Sequence, residues 1–274
     1  MSGFDILVHV RDTADEPLAA RAAWLLAPRL QAHVYGLYVA PLGAVAFSTP
    51  ETVVFQVNEA DRLYDDAKAK RAWWQELLQR NACNGEWLVA QGEPVEALCH
   101  CARWCDLVIA ERPALNADAP TGWGTVSRTV FGAGTPVIVV PEASKLGSLG
   151  ERIVVAWNHS REGMRAIHGA LPLLAQAKHV TILEGAPRED RLDARHLPPL
   201  DLREWLRRHG VTAEFRSFMP KNDFGAAILA ATHAAQADLV VMGAWGHSRI
   251  AELVVGGVTR HLFQHSDIPL FVAH

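Results

Sequence analysis

The sequence predicts an α/β protein built from two tandem doubly wound domains, each with a five-stranded, mostly parallel sheet. Short runs rich in Val, Ile and Leu alternate with Ala- and Leu-rich segments of helical periodicity. The apolar runs are continuous, as expected for parallel strands that are covered on both faces. A set of landmarks also occurs twice at equal spacing, which indicates an internal repeat.

The first half has the strand and helix alternation of one such domain. Strands are expected near 4–10, 34–39, 85–89, 106–110 and 136–140, and helices near 16–31, 59–80, 93–104 and 125–132. The long helix predicted at 59–80 has apolar residues at spacings of three and four, which place them on one face. In the second half, strands are expected near 152–157, 179–184, 211–218, 238–243 and 269–272, and helices near 161–176, 199–209, 223–236 and 256–265.

Equal spacing relates the two halves. A strand that opens at Asp106 is followed eighteen residues later by Gly124, and the strand that opens at Asp238 is followed eighteen residues later by Gly256. Each half then closes with a proline and an apolar run. We therefore expect domains at 1–141 and 151–274, joined by a polar, small-residue linker at 142–150. The last strand of each half is a candidate edge, so we expect an intrachain pseudo-dimer, with a homodimer of whole chains as a further step.

Composition excludes several classes of protein. Twenty-six basic and 30 acidic residues give a net charge of −4, so no overall positive field attracts nucleic acid. The sequence shows neither a signal peptide nor an apolar run of 18 residues, so we expect no membrane association and a cytoplasmic location. Four cysteines are too few for a disulfide scaffold.

A glycine loop follows the fourth strand of the second half. Gly243, Gly246 and Gly256 have the spacing Gly-x2-Gly-x9-Gly, and Gly257 then opens a helix. Glycines let backbone N–H groups approach a ligand, and a helix N-terminus favours an anion such as phosphate. The Thr259 hydroxyl would add a donor. The alternative interpretation is a surface loop followed by a helix N-cap.

These residues resemble the universal stress protein family. The resemblance includes the strand 238–243, the glycine loop, Val258-Thr259, the final proline and strand, and the first strand 154–160. It spans nearly all of the second half and, more faintly, the first. The resemblance implies the family's fold, related to the adenine nucleotide α-hydrolases, and a role in stress response or regulation. Many members bind ATP through this loop, whereas others lack the loop and bind none.

Carried over by resemblance, the candidate nucleotide site combines the end of the first strand of the second half with the glycine loop. Asn158 stands where the family usually has Asp, which weakens recruitment of Mg²⁺, and Gly257 stands where Ser or Thr is usual. In the first half, Glu111 and Ala114 replace the first two loop glycines and Arg11 replaces Asn158, so we expect no nucleotide there. The candidate cofactor-binding residues are Ala156, Trp157, Asn158, Ser160, Gly243, Gly246, His247, Gly256, Gly257, Val258 and Thr259.

Other constellations are weaker. Cys99, Cys101 and Cys105 have no second pair with zinc spacing, so we expect buried thiols that pack as small apolar groups. His261 and His265 lie four residues apart and could bind a metal, although solvated histidines are the more common case. Trp123 and Trp245 fall in the two loops, where an aromatic ring could stack on a base. Packing is expected for the other tryptophans considered, Trp73, Trp74, Trp87, Trp104 and Trp205.

Neither a nucleophile elbow nor a Walker motif is present, and no general base is evident in the glycine loop. We therefore expect a regulatory protein without fast chemistry, at most a slow ATPase. The alternative is the same fold acting as an interaction or structural module that binds no nucleotide.

Overall fold

The computed structural model of the chain describes residues 3–40, 50–113, 124–185, 198, 200–244 and 257–274. The chain divides into two compact units, Met1–Glu142 and Ala143–His274. Within these residues, each unit has a parallel sheet of five strands with helices between them.

In unit 1 the strands β1–β5 have the order β3-β2-β1-β4-β5, and all four pairs of neighbouring strands are parallel. The first strand is central, so the strand order reverses on either side of it, as in a doubly wound sheet. The elements are β1 (Phe4–Val10), α1 (Leu18–Leu30), β2 (Ala32–Ala40), α2 (Pro50–Ala69), α3 (Arg71–Arg80), β3 (Asn84–Gln91), α4 (Pro94–Ala102), β4 (Leu107–Arg112), α5 (Thr125–Gly132) and β5 (Val137–Pro141).

Unit 2 repeats this topology. Its strands have the order β10-β9-β6-β7-β8, again with parallel pairings. The elements are β6 (Arg152–Trp157), α6 (Arg161–Leu174), β7 (His179–Glu184), α7 (Leu202–Arg208), β8 (Glu214–Ser217), α8 (Phe224–Ala234), β9 (Leu239–Gly243), α9 (Val258–His265) and β10 (Leu270–Ala273). The predicted α/β class with parallel, doubly wound sheets is confirmed.

Two elements differ from the expected bounds. The helix expected at 59–80 begins earlier, at Pro50, and is divided in two because Lys70 leaves the helical conformation (φ −76°, ψ 4°). The strand expected at 211–218 is confined to 214–217, and three of its four residues are exposed. This strand pairs with β7, and it is not covered on both faces as the sequence pattern suggested.

The aspartates at the start of β4 and β9 explain one repeated landmark. Asp106 accepts a hydrogen bond from the backbone N–H of Asp5, at 2.8 Å. Asp238 accepts from the backbone N–H groups of Glu151 and Arg152, at 3.1 Å each, and from the Ser148 hydroxyl at 2.6 Å. Each aspartate thus fixes the entry of the central strand of its unit, which is a structural role shared by the two halves.

A tryptophan cluster forms the core beneath the sheet of unit 1. Trp74 is fully buried, and its ring centroid lies 5.3 Å from that of Trp24 and 5.6 Å from that of Trp87. A Cβ atom built on Gly36 of β2 would lie 2.6 Å from the Trp74 ring, so glycine is required where the indole meets the strand. The packing role predicted for Trp104 is wrong, because this side chain is 78% exposed.

The cysteines are half-buried, which is less than the sequence predicted. The Cys99 Sγ atom packs against Gly132 at the contact between α4 and α5. Burial raises the pKa of the Cys99 and Cys101 thiols and raises that of Cys105 to about 12. These thiols therefore stay protonated at neutral pH and have little nucleophilic character.

Candidate functional site

The ends of β6 and β9 lie side by side in unit 2. The pairing register aligns Ala156 of β6 with Met242 of β9, so the residues that follow, Trp157 and Gly243, end the two strands at the same edge of the sheet. Strand β6 lies between β9 and β7, which makes this edge the point where the strand order reverses. Ligands of open α/β sheets bind at such a point, beyond the carboxyl ends of the strands.

A local hydrogen-bond network fixes the turn between β6 and α6. The Asn158 side-chain oxygen accepts from the Ser160 hydroxyl at 2.6 Å and from the Ser160 backbone N–H at 3.3 Å. The Ser160 hydroxyl oxygen in turn accepts from the Gly163 N–H at 3.0 Å and caps α6. Both predicted residues therefore have a structural role, and the exposed Asn158 amide keeps its NH₂ group for further partners.

Trp157 lies beneath this turn. Its side chain is buried, with 9% of its surface exposed, and its ring centroid lies 5.0 Å from the ring of His159. His159 has a left-handed backbone (φ 58°), and its Nε2 lies 3.8 Å from Glu184 at the end of β7. The sequence did not single out His159 or Glu184, because only the pairing of β6 with β7 brings them together.

Gly243 is required by packing. A Cβ atom built on this residue would meet the backbone nitrogen of Gly163 and would lie 2.5 Å from the carbonyl carbon of Glu162. The first turn of α6 therefore rests directly on the end of β9. The close contact between β9 and α6 therefore explains why position 243 is glycine, independently of any ligand.

The carboxylate of Glu162 is a feature that the sequence analysis missed. This residue is 2% exposed, and its Oε1 accepts from the guanidinium of Arg161 at 2.9 and 3.1 Å. Its position in the first helical turn, next to an N-terminal dipole, favours a negative charge there. A glutamate in the second position after an N-cap serine was the available signal, but its burial depends on how α6 packs on the sheet.

The N-terminus of α9 forms the other described part of the predicted site. Gly257 is the N-cap residue in an extended conformation (φ −64°, ψ 168°), and the cap has no side-chain hydrogen bond. Val258 is half-buried and Thr259 is 5% exposed. Since glycine supplies no capping oxygen, the first N–H groups of the helix depend on another acceptor.

The remaining predicted loop residues, Gly246, His247 and Gly256, lie outside the described residues, as do Trp245, Trp123 and Ala114. Their proposed roles stay predictions.

Unit 1 uses the same edge differently. Glu111, which the spacing places at the position of Gly243, accepts a hydrogen bond from the Ala19 N–H in the first turn of α1, at 2.8 Å. A side-chain carboxylate thus satisfies a helix N-terminus from the end of the neighbouring strand. The expectation that unit 1 takes no phosphate stays a prediction.

His9 gives unit 1 a defined pH response. It is 7% exposed on β1, and burial, assisted by the nearby charge of Arg11, lowers its pKa from 6.5 to about 4. The unfolded chain therefore binds the proton first as the pH falls. The stability that neutral His9 contributes is complete above pH 6.5 and is lost as the pH falls from 6.5 toward 4.

We expect roughly 2 kcal/mol of the free energy of unfolding to be lost through His9 between pH 7 and about pH 4.5. The measurement is urea unfolding of the wild type and of His9→Leu at both pH values. On acidification, the free energy of unfolding of His9→Leu should fall by roughly 2 kcal/mol less than that of the wild type. An identical pH dependence in the two proteins would show that His9 titrates normally.

A cavity of about 300 Å³ in unit 2 lies at the opposite edge of the sheet, where Lys145, Asp238 and Asp267 contribute to its lining. Asp238 already accepts the hydrogen bonds that hold the start of β6, and Asp267 lies 2.9 Å from Nε2 of His233. We therefore place the candidate site at the carboxyl edge. Within the described residues, no group of three or more His, Cys, Asp or Glu side chains is placed to hold a metal ion.

The family model described as the universal stress protein family matches residues 150–274. The crystal structure of a universal stress protein from Archaeoglobus fulgidus DSM 4304 is 16% identical, with 98% of this chain and 95% of that chain covered and a TM-score of 0.67. A putative universal stress protein from Pseudomonas aeruginosa UCBPP-PA14 is 15% identical, with coverage of 98% and 92% and a TM-score of 0.57. Both likenesses concern the fold.

A universal stress protein from Archaeoglobus fulgidus, solved in complex with dAMP, matches 50% of this chain and 96% of its own, at 16% identity and a TM-score of 0.31. That likeness is too distant to place a ligand here. No curated protein matches the chain.

The fold and the edge at which β6 and β9 end define a doubly wound α/β protein. The domain at 150–274 belongs to the universal stress protein family, and the two units of one topology fit a tandem, two-domain architecture. Within the described residues, no helix is both long and apolar enough to cross a membrane.

Proposed function

We propose that this protein is a regulatory protein of the stress response whose second unit binds an adenine nucleotide, with ATP as the first candidate. The observation that carries the proposal is the meeting of β6 and β9 at the switch edge. The pairing register there brings the turn at Asn158 next to Gly243, the first residue of the glycine loop. Sequence resemblance had selected these two segments, 85 residues apart in the chain, for the same ligand.

The phosphates belong at the N-terminus of α9. Gly257 leaves the first N–H groups of that helix without a side-chain cap, and the helix dipole favours an anion. An atom at the Cβ position of Gly243 would meet the backbone of Glu162 and Gly163, so the side of Gly243 that faces α6 leaves no room for a phosphate. The loop 245–256 and the helix start are therefore the better cradle.

Asn158 is a weak ligand for Mg²⁺, so we expect Mg²⁺ to contribute little to nucleotide binding. Its side-chain oxygen is neutral and already accepts two hydrogen bonds from Ser160. Mg²⁺ is held mainly by carboxylates and by the phosphates of a substrate. We therefore expect Mg²⁺ to enter, if at all, on the nucleotide, and ATP affinity to change little when Mg²⁺ is removed.

The second candidate function is an interaction module that leaves this edge without a nucleotide. It is favoured by the packing role of Gly243, which accounts for one of the loop glycines without a ligand. The two functions are separated by mass spectrometry of the purified, denatured protein together with calorimetric titration of ATP. A released adenine nucleotide, or one calorimetric site for each chain, supports the first function. The absence of both results supports the second function.

Gly246→Val tests whether the glycine loop forms the site. A branched side chain would occupy the space through which the backbone approaches a phosphate, so we expect at least a tenfold loss of ATP affinity, about 1.4 kcal/mol. The measurement is the thermal shift on adding ATP with and without Mg²⁺, in parallel with calorimetry.

The matched control is Gly147→Val, because a Cβ atom at Gly147 meets nothing within 4 Å and the residue lies near the opposite edge of the sheet. Equal ATP-induced shifts in wild type, Gly246→Val and the control would place the nucleotide elsewhere. Two equivalent ATP sites for each chain would contradict the restriction to unit 2.

A further inference from the structure

Two histidines share one face of α9. His261 and His265 are four residues apart, which places their side chains one above the other on a helix. Their ring centroids are 4.6 Å apart and the ring planes are inclined by 54°. His265 is exposed and the His261 side chain is 23% exposed, so both rings are accessible from solvent.

The position of His261 is fixed by the contact between α8 and α9. A Cβ atom built on Gly225 would lie 2.5 Å from the Cβ of His261, so the two helices approach as closely as the absence of a side chain permits. Glycine at this position brings the N-terminus of α8 to the histidine face. The helix backbone that carries the two rings is therefore held in place.

Asp223, the N-cap residue of α8, faces His261. Its Oδ1 lies 3.4 Å from the Nδ1 of the ring, and the same oxygen accepts the Ala226 N–H at 3.0 Å, which holds the carboxylate in position. At this distance the carboxylate charge favours a proton on Nδ1. That arrangement selects the tautomer in which Nε2 carries a free lone pair, as in the carboxylate–histidine pairs that orient metal ligands.

We propose that His261 and His265 form an open binding site for a divalent transition-metal cation of the Zn²⁺ type, with Asp223 as the orienting carboxylate. Imidazole nitrogen suits such borderline-soft ions. With metal–nitrogen bonds of about 2.0–2.1 Å, two imidazoles that share one ion at roughly 90–110° have centroids about 4.5–5.2 Å apart. The observed separation of 4.6 Å lies within that range.

The site has two protein ligands from one helix, and water completes the coordination. It is therefore weaker than a structural zinc site with four protein ligands, and the ion is exchangeable. Bound metal would join the last helix to the N-terminus of α8 through Asp223. The site is independent of the nucleotide proposal, because none of its three residues belongs to the predicted loop or to the turn after β6.

The test is Zn²⁺ binding to the full chain, measured by competition with a chromophoric chelator. The wild type should hold one Zn²⁺ that His265→Ala loses, and Asp223→Asn should bind it about tenfold more weakly. His179→Ala is the matched control, because His179 is an exposed histidine at the start of β7. The Zn²⁺ affinity of this variant should equal that of the wild type.

Thermal melts without metal establish that each variant is folded. Equal Zn²⁺ affinity in the wild type and His265→Ala, or no Zn²⁺ bound by the wild type, would overturn the site. Unchanged affinity in Asp223→Asn would overturn the orienting role of the carboxylate.

Discussion

Gly243→Ala is expected to destabilise unit 2 by at least about 3 kcal/mol, the upper part of the range for overpacking. The new methyl group would lie 2.5 Å from the carbonyl carbon of Glu162 and would also meet the nitrogen of Gly163. Both are backbone atoms, so no side-chain rotation relieves the contact. The first turn of α6 must lift from the end of β9, and the cap by Ser160 moves with it.

Hydrogen exchange read by mass spectrometry measures this effect separately in the two units. Amides of α6 and β9 should exchange faster in Gly243→Ala, whereas those of β1 and β4 should keep their wild-type rates. Gly147→Ala is the matched control, because a Cβ atom there has open space around it. Wild-type protection of α6 in Gly243→Ala would show that the close approach of helix and strand is not required.

Trp74→Ala is expected to destabilise unit 1 by about 3–5 kcal/mol, the usual cost of removing a fully buried tryptophan. The indole contacts Gly36 of β2 and the rings of Trp24 and Trp87, so its removal leaves a cavity between the sheet and α3. Neighbouring indoles are too large to fill that cavity without leaving their own contacts.

Urea unfolding followed by tryptophan fluorescence measures the loss, with Trp104→Ala as the control. Trp104 is 78% exposed, and its removal should change the free energy of unfolding by less than about 0.5 kcal/mol. If the two variants were equally stable, the tryptophan cluster would not be the core of unit 1.

Glu111 in unit 1 and Gly243 in unit 2 occupy equivalent positions at the ends of their strands but have different structural roles. In unit 1, Glu111 at the end of β4 satisfies the N-terminus of α1 with its carboxylate. In unit 2, Gly243 at the end of β9 lets the first turn of α6 approach the strand directly. The same helix–strand junction is thus closed by a side chain in one unit and by backbone contact in the other. This difference supports the proposal that a nucleotide is confined to unit 2.

The sequence by itself determined the fold class and the order of the elements. Predicted strands of four to eight residues with helical segments between them admit few arrangements other than a parallel sheet covered by helices. Equal spacing of Asp106 and Asp238 from later glycines predicted the repeat, and the two units have one topology. Periodicity could not locate the break at Lys70, because the apolar face continues across it.

Tertiary structure alone decided which residues meet at the edge of unit 2. The pairing of β6 with β9 brings Asn158 beside Gly243, and the close approach of α6 buries Glu162 beside the same glycine. Sequence spacing treats Gly243 as a loop residue and Glu162 as an ordinary helix residue. Burial and electrostatics depend on neighbours that are distant in the chain. The buried position of Glu162 at this edge therefore follows from the pairing of the strands and the packing of the helix on them, and not from the sequence spacing.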